Sequence, residues 1–156
     1  MTFSKDRSLV GRCGLYCGAC VIYRSQRDDP RRQQRLAERF ECDIEQVRCN
    51  GCGALSPSCW GTDCQLGACL DARGFKYCYE CPEYADRSCE KFEKLARGYL
   101  EEDGFDLRQS LRLIASGGTD DWLDYCRLRF ACRNCGKPTM TGAAECHHCG
   151  VSLHQH

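Results

Sequence analysis

At 156 residues the chain has room for one average domain, or for one domain with a small appendage. Leu, Ile, Val and Phe supply only 27 of those residues, too few for an unaided apolar core, while 17 cysteines offer cross-links in its place. The formal net charge is zero, so no overall field favours nucleic acid, which calls for a basic domain.

The cross-links are either disulfides or metal bonds. The opening MTFSKDRSLVGRCG has no continuous apolar stretch and no cleavage-site pattern, so no secretory signal is expected. No run reaches the ~18 apolar residues of a membrane span. A cytoplasmic, reducing location is therefore expected. There, an odd-numbered cysteine set with five C-x2-C pairs points to metal rather than disulfides.

In chain order, the first block is Cys13-Gly-Leu-Tyr-Cys17-Gly-Ala-Cys20. The Arg-rich stretch from Val21 to Phe40 carries one predicted helix, opened by Pro30 and running to Phe40, with Leu36 and Phe40 as a thin apolar face. From Cys42 to Cys89 the glycines, Pro57 and the lack of any sustained period predict irregular loops, which metal centres tolerate. After Cys89, Phe92, Leu95, Ala96 and Tyr99 lie at i, i+3, i+4 and i+7 and predict a helix to about Glu102, stopped near Gly104. Asp106 is the expected cap of a second helix, with Leu107, Leu111 and Ile114 on its face and Gly117-Gly118 ending it. Thr119 is the expected cap of a third, whose buried stripe is Trp122, Leu123, Cys126 and Phe130. Cys126 on that stripe reads as a core thiol.

The most specific motif closes the chain. Cys132-Arg-Asn-Cys135-Gly136 and Cys146-His-His-Cys149-Gly150 are paired C-x2-C-G knuckles. Two residues between thiolates let both sulfurs reach one tetrahedral ion, and the following glycine permits a positive φ. The ten residues between the knuckles suffice for a short hairpin, giving a zinc ribbon with a closed, structural ion. His147 and His148 could compete as ligands, but four thiolates already satisfy the ion. His154 and His156 read as a frayed tail.

Upstream, the candidate ligands are Cys13, Cys17, Cys20, Cys49, Cys52, Cys59, Cys64, Cys69, Cys78, Cys81 and Cys89, with Cys42 ambiguous. No histidine precedes residue 147, so these sites must be built on thiolates, with an Asp or Glu at most. Spacing leaves their grouping open. The preferred one joins Cys17/Cys20 to Cys49/Cys52, and Cys78/Cys81 to Cys64 and Cys69. Zinc is the preferred metal, several ions per chain. An iron–sulfur cluster in this half is the alternative, since Cys13-x3-Cys17-x2-Cys20 has the spacing that holds three irons of a four-iron cluster. A radical enzyme built on that spacing is excluded, because no βα alternation is present to make its barrel.

Arg31, Arg35 and Arg39 recur at i, i+4 and i+8, with Arg24, Arg27 and Arg32 nearby. A basic stripe for phosphate or an acidic partner is one reading, and a solvated helix face is the preferred one. No nucleophile elbow, phosphate loop, dinucleotide fingerprint or zinc-protease helix occurs, so nothing in the sequence supports an enzyme.

Cys13-Gly-Leu-Tyr-Cys17-Gly-Ala-Cys20-Val-Ile-Tyr23, Cys49-Asn-Gly-Cys52 and Phe75-Lys-Tyr-Cys78-Tyr-Glu-Cys81 together resemble DUF3795, a family of small prokaryotic cysteine-rich proteins of unknown function. Gly118-Thr-Asp-Asp-Trp122-Leu123, followed by Cys132-x2-Cys135-Gly, resembles a C-terminal part often seen in its members. Cys89 lies further from Cys81, and Cys59 further from Cys64, than the family's usual spacing. The resemblance implies metal binding and no particular activity.

The expected fold is therefore a metal-stabilised α+β protein: irregular Cys-rich loops, about four short helices and a C-terminal zinc-ribbon hairpin. Residues 1–130 form the Cys-rich domain, helical over 90–130, and residues 131–156 the ribbon. The expected function is non-enzymatic zinc binding with structural sites, acting through protein contacts. Iron–sulfur or thiol-redox chemistry on the Cys13/Cys17/Cys20 block is the alternative, and nucleic-acid binding by the ribbon the second.

Overall fold

The computed structural model describes residues 6–153. Seven helices follow one another: α1 (Val21–Asp28), α2 (Pro30–Arg39), α3 (Gln65–Arg73), α4 (Pro82–Ala85), α5 (Glu90–Asp103), α6 (Leu107–Ala115) and α7 (Thr119–Arg129). Short 3-10 turns link the earlier ones, and three begin at a cysteine: Cys17–Ala19, Cys52–Ala54 and Cys78–Glu80. Two of the C-x2-C pairs are closed by the same contact, with Cys20 N donating to Cys17 O and Cys81 N to Cys78 O.

Local chemistry explains the helix ends. Asp29 accepts from Arg32 N at 3.1 Å, and Pro30 fills the first position of α2. Gly104 closes α5 in the left-handed region at φ 64°. Asp106 caps α6, its Oδ1 accepting from Arg108 N at 2.9 Å and Gln109 N at 3.2 Å. Thr119, expected as a cap, is instead the first residue of α7 and is buried, and Gly118 stands before it.

Phe92, Phe105, Leu107, Leu111, Ile114, Trp122, Leu123 and Cys126 form the main core, with Leu95, Ala96, Tyr99 and Phe130 only partly buried against it. Phe130 stands just past α7, so α6 buries the whole face that its spacing dictates and α5 and α7 bury theirs in part. Val10, Cys13, Leu70 and Cys78 complete it from the N-terminal half. Gly14 makes that closure possible. At φ 93° it lies so close to α6 that a Cβ there would stand 2.7 Å from Leu107 O. Arg12 adds a polar tie, its guanidinium donating to Lys76 O and Phe75 O, both at 2.8 Å. A second, smaller core of Ile22, Ala37, Val47, Cys49 and Cys59 lies under α1 and α2.

The expected α+β class is overturned. Among the described residues there is no strand and no sheet, only three isolated antiparallel bridges: Val10–Tyr16, Ala131–Pro138 and Glu145–Ser152. The two near the C-terminus show why no ribbon hairpin forms. Each knuckle pairs its own flanks, Cys132 N donating to Lys137 O and Cys146 N to Val151 O, both at 2.9 Å. The backbone between the knuckles is engaged elsewhere. Thr141 N and Oγ1 both donate to Ala19 O, at 2.9 and 3.0 Å, and Gly142 N donates to Asp103 Oδ1. Nor is the stretch from Cys42 to Cys89 all loop, since it contains α3 and α4. Only Leu70 of α3 is buried, so that helix shows no apolar period to read. No helix among the described residues is long and apolar enough to cross a membrane.

Candidate metal centre

The four terminal cysteines converge. Cys132 and Cys146 are buried, Cys135 is half-buried and Cys149 exposed, and their four sulfurs lie within 4.8 Å of one another. The closest pairs run between the knuckles, Cys132 Sγ to Cys149 Sγ and Cys135 Sγ to Cys146 Sγ, each 3.7 Å. Sulfurs bound at 2.3 Å to a tetrahedral ion stand about 3.8 Å apart, so the residues present fit one metal ion.

The two knuckles are built alike. Gly136 N donates to Cys132 O and Gly150 N to Cys146 O, both at 2.8 Å, and both glycines have positive φ, 75° and 78°. Backbone N–H groups then face the sulfurs. The Cys135 N–H, joined by that of Asn134, holds the Cys132 thiol below its ordinary pKa against the effect of burial. The Asn134 side-chain amide donates to Cys149 Sγ at 3.4 Å and, with the Val151 N–H, brings Cys149 down to about 6. Cys135 goes the other way. The Lys137 N–H lowers it, but burial and the other three sulfurs outweigh that and push it up to about 11. Four sulfurs this close cannot all stay charged without a cation among them. Asn134 was not singled out by spacing, because an amide inside a knuckle carries no ligand signal of its own.

The eleven candidate ligands upstream are arranged differently. Among the described residues, only two groups of three or more donors lie mutually within 4.8 Å: the four terminal cysteines, and Asp28 with His147 and His148. Cys17 and Cys52 do meet, with Cys52 N donating to Cys17 Sγ at 3.4 Å. Cys49 and Cys59 are buried together in the smaller core, with Cys20 and Cys42 against it. Cys13 is buried in the main core, and burial raises its thiol far above the ordinary value. Cys69, Cys78, Cys81 and Cys89 line one cavity with Phe92 and Tyr84, and Arg73 Nη1 donates to Cys81 Sγ at 3.0 Å. Cys64 is exposed and does not line that cavity; Cys89 does.

Both histidines of the second knuckle turn away from the sulfurs toward Asp28 at the end of α1. Asp28 was missed in the sequence, being 119 residues from His147. Cys126 is fully buried on α7, as the core reading expected. Arg31, Arg35 and Arg39 are exposed on α2. His154 and His156 lie outside the described residues.

Fold and site together define a helical, cysteine-rich protein with a candidate four-cysteine metal centre. The sequence model of a family described as a protein of unknown function (DUF3795) matches residues 9–94, more than half of the chain, and the chain belongs to that family. No curated protein and no solved structure matches it. The family match ends within α5, so the terminal centre lies outside it.

Proposed function

We propose that this chain is a non-enzymatic zinc-binding protein in which a structural zinc ion fixes the terminal knuckles against the N-terminal half, and that it acts through contacts with other proteins. One observation carries the reading: four sulfurs within 4.8 Å of one another, paired across two knuckles at 3.7 Å. Four thiolates at tetrahedral spacing suit zinc, and a closed site of that kind leaves no coordination position for a substrate. An odd-numbered set of 17 cysteines with five C-x2-C pairs suits metal binding in a reducing compartment such as the cytoplasm. Element-resolved metal analysis of anaerobically prepared protein is expected to find zinc retained through desalting. Chelation should release it together with the hydrogen-exchange protection of residues 131–153. A chain that kept that protection with its zinc fully removed would refute the reading.

A second reading places thiol chemistry in the block of Cys13, Cys17 and Cys20. It is favoured by the Cys17–Cys52 contact. A hydrogen bond from Cys17, helped by the neighbouring Arg12, holds Cys52 at about 7, while that shared bond and burial raise Cys17. A thiolate beside a protonated thiol suits disulfide exchange. Anaerobic visible absorption tests the iron–sulfur form, which a colourless protein excludes. Alkylation of Cys52 near neutral pH tests the redox form, which fails if Cys52 reacts no faster than an unperturbed thiol.

A further inference from the structure

Beside the four-cysteine centre, two histidines and an aspartate meet at a point. Asp28 is the last residue of α1, and His147 and His148 are the two residues between Cys146 and Cys149. His147 Nε2 stands 2.8 Å from Asp28 Oδ2, and His148 Nε2 stands 2.9 Å from the same oxygen. The three side chains are only 4, 15 and 18 % exposed.

A pair of hydrogen bonds explains this poorly. Only the His147 contact has hydrogen-bond geometry, while His148 Nε2 and Asp28 Oδ1 are buried with no hydrogen-bond partner. Buried polar atoms left that way are costly and need a reason. For His148 Nε2, a shared cation supplies one. Ligands 2.0–2.1 Å from a first-row ion and at right angles lie about 2.9 Å apart, which is the spacing of each ring nitrogen from the carboxylate oxygen. The carbonyl end of α1 adds a field that favours positive charge there.

We propose that Asp28, His147 and His148 form a second metal site, which takes one divalent first-row cation through two imidazole nitrogens and a carboxylate. Three protein donors leave positions open for water or an exogenous ligand, unlike the closed thiolate centre. The site rests on the zinc reading of that centre for its assembly, because the Cys146–Cys149 turn aims both rings at α1. Arg24 is the built-in competitor: its Nη1 lies 3.9 Å from Asp28 Oδ2.

Nickel(II) titrated into the zinc-loaded full chain, followed by equilibrium dialysis and by paramagnetic shifts of the His147 and His148 ring protons, tests the assignment. Wild-type protein is expected to take up one nickel that shifts both rings. His148→Gln and Asp28→Asn should each weaken that uptake at least tenfold while keeping the thiolate-bound zinc, which reports that the knuckle remains folded. Arg24→Gln should tighten it several-fold, an effect that a purely structural His–Asp tether would not produce. Equal nickel uptake by wild type and His148→Gln, with no ring shifts, would overturn the site. That result with zinc still bound defeats this inference alone, whereas a wild-type chain that holds no zinc at the thiolates defeats the reading it rests on.

Discussion

The helical body of α5–α7 and the terminal knuckles that follow it are held together by different forces. Trp122, Leu107 and Leu111 are essentially inaccessible to water in the body, and each helix brings a matching apolar face. From residue 132 onward, Cys132, Thr139, Met140 and Cys146 are all that is buried among the described residues. That is too little apolar area to fold a segment of this length. Cysteines make the same contrast. Cys126 in the body is a core thiol touching apolar neighbours, whereas Cys132, six residues later, faces three other sulfurs. Identical side chains serve packing in one region and form a candidate metal site in the other, and only the surroundings say which.

Removing the candidate metal ligands should break this contrast most severely. Cys132→Ser combined with Cys146→Ser takes one sulfur from each knuckle. The double variant should bind less zinc and lose amide protection throughout residues 131–153, while α5–α7 keep theirs. Loss of protection in both regions at once would show that the body depends on the metal too. Next in size is Trp122→Ala, expected to cost the body about 3–5 kcal/mol in denaturant unfolding, with zinc content unchanged. Trp122 Nε1 is buried without a hydrogen-bond partner, so Trp122→Phe gives up no hydrogen bond and should cost markedly less. Smaller still, Asp106→Ala removes the cap of α6 and should cost about 1 kcal/mol in the same measurement.

How far each region could be read in advance follows the same division. Phe92, Leu95, Ala96 and Tyr99 announce α5, and Asp106 announces the start of α6, because those helices bury a regular face and spend a side chain on their ends. Neither α1 nor α3 announces itself: the first is eight residues long behind a cysteine block, and the second buries only Leu70. In the terminal segment, the convergence of Cys132, Cys135, Cys146 and Cys149 was legible because C-x2-C-G dictates a local turn. The ribbon hairpin was a wrong inference from length alone. Ten residues could have formed strands, but Thr141 is instead bonded to Ala19, a partner that local sequence cannot reveal. Asp28 stayed hidden for the same reason. The resemblance to the family was legible from the first cysteine blocks, and those blocks fall within the matched residues.

The finest test uses pH, where the two regions should respond with opposite sign. Burial holds the Cys126 thiol neutral and pushes it up to about 12 from an ordinary value of 9.0. The folded body thus binds that proton more tightly than the unfolded chain does. Its contribution is complete below pH 9 and fades as pH rises from there through about 12. Cys126→Ala should cost stability at neutral pH through the lost packing, yet flatten the decline above pH 9. The knuckles run the other way. Cys132 is held below the ordinary thiol value, and Cys149 at about 6, by N–H groups that favour thiolate. Stability gained from such depressed groups is present above the unfolded value and is lost as pH falls through about 6, where protons also displace the metal. Unfolding of the body and zinc release from the knuckles, followed in one sample from pH 5 to 10, should therefore separate: zinc leaves at the acid end, and the body weakens at the alkaline end. A body whose stability stayed flat between pH 8 and 10 would mean that Cys126 is not sealed from water, and that the division between packing and coordination thiols is less sharp than the burial of Trp122 and Leu123 around it implies.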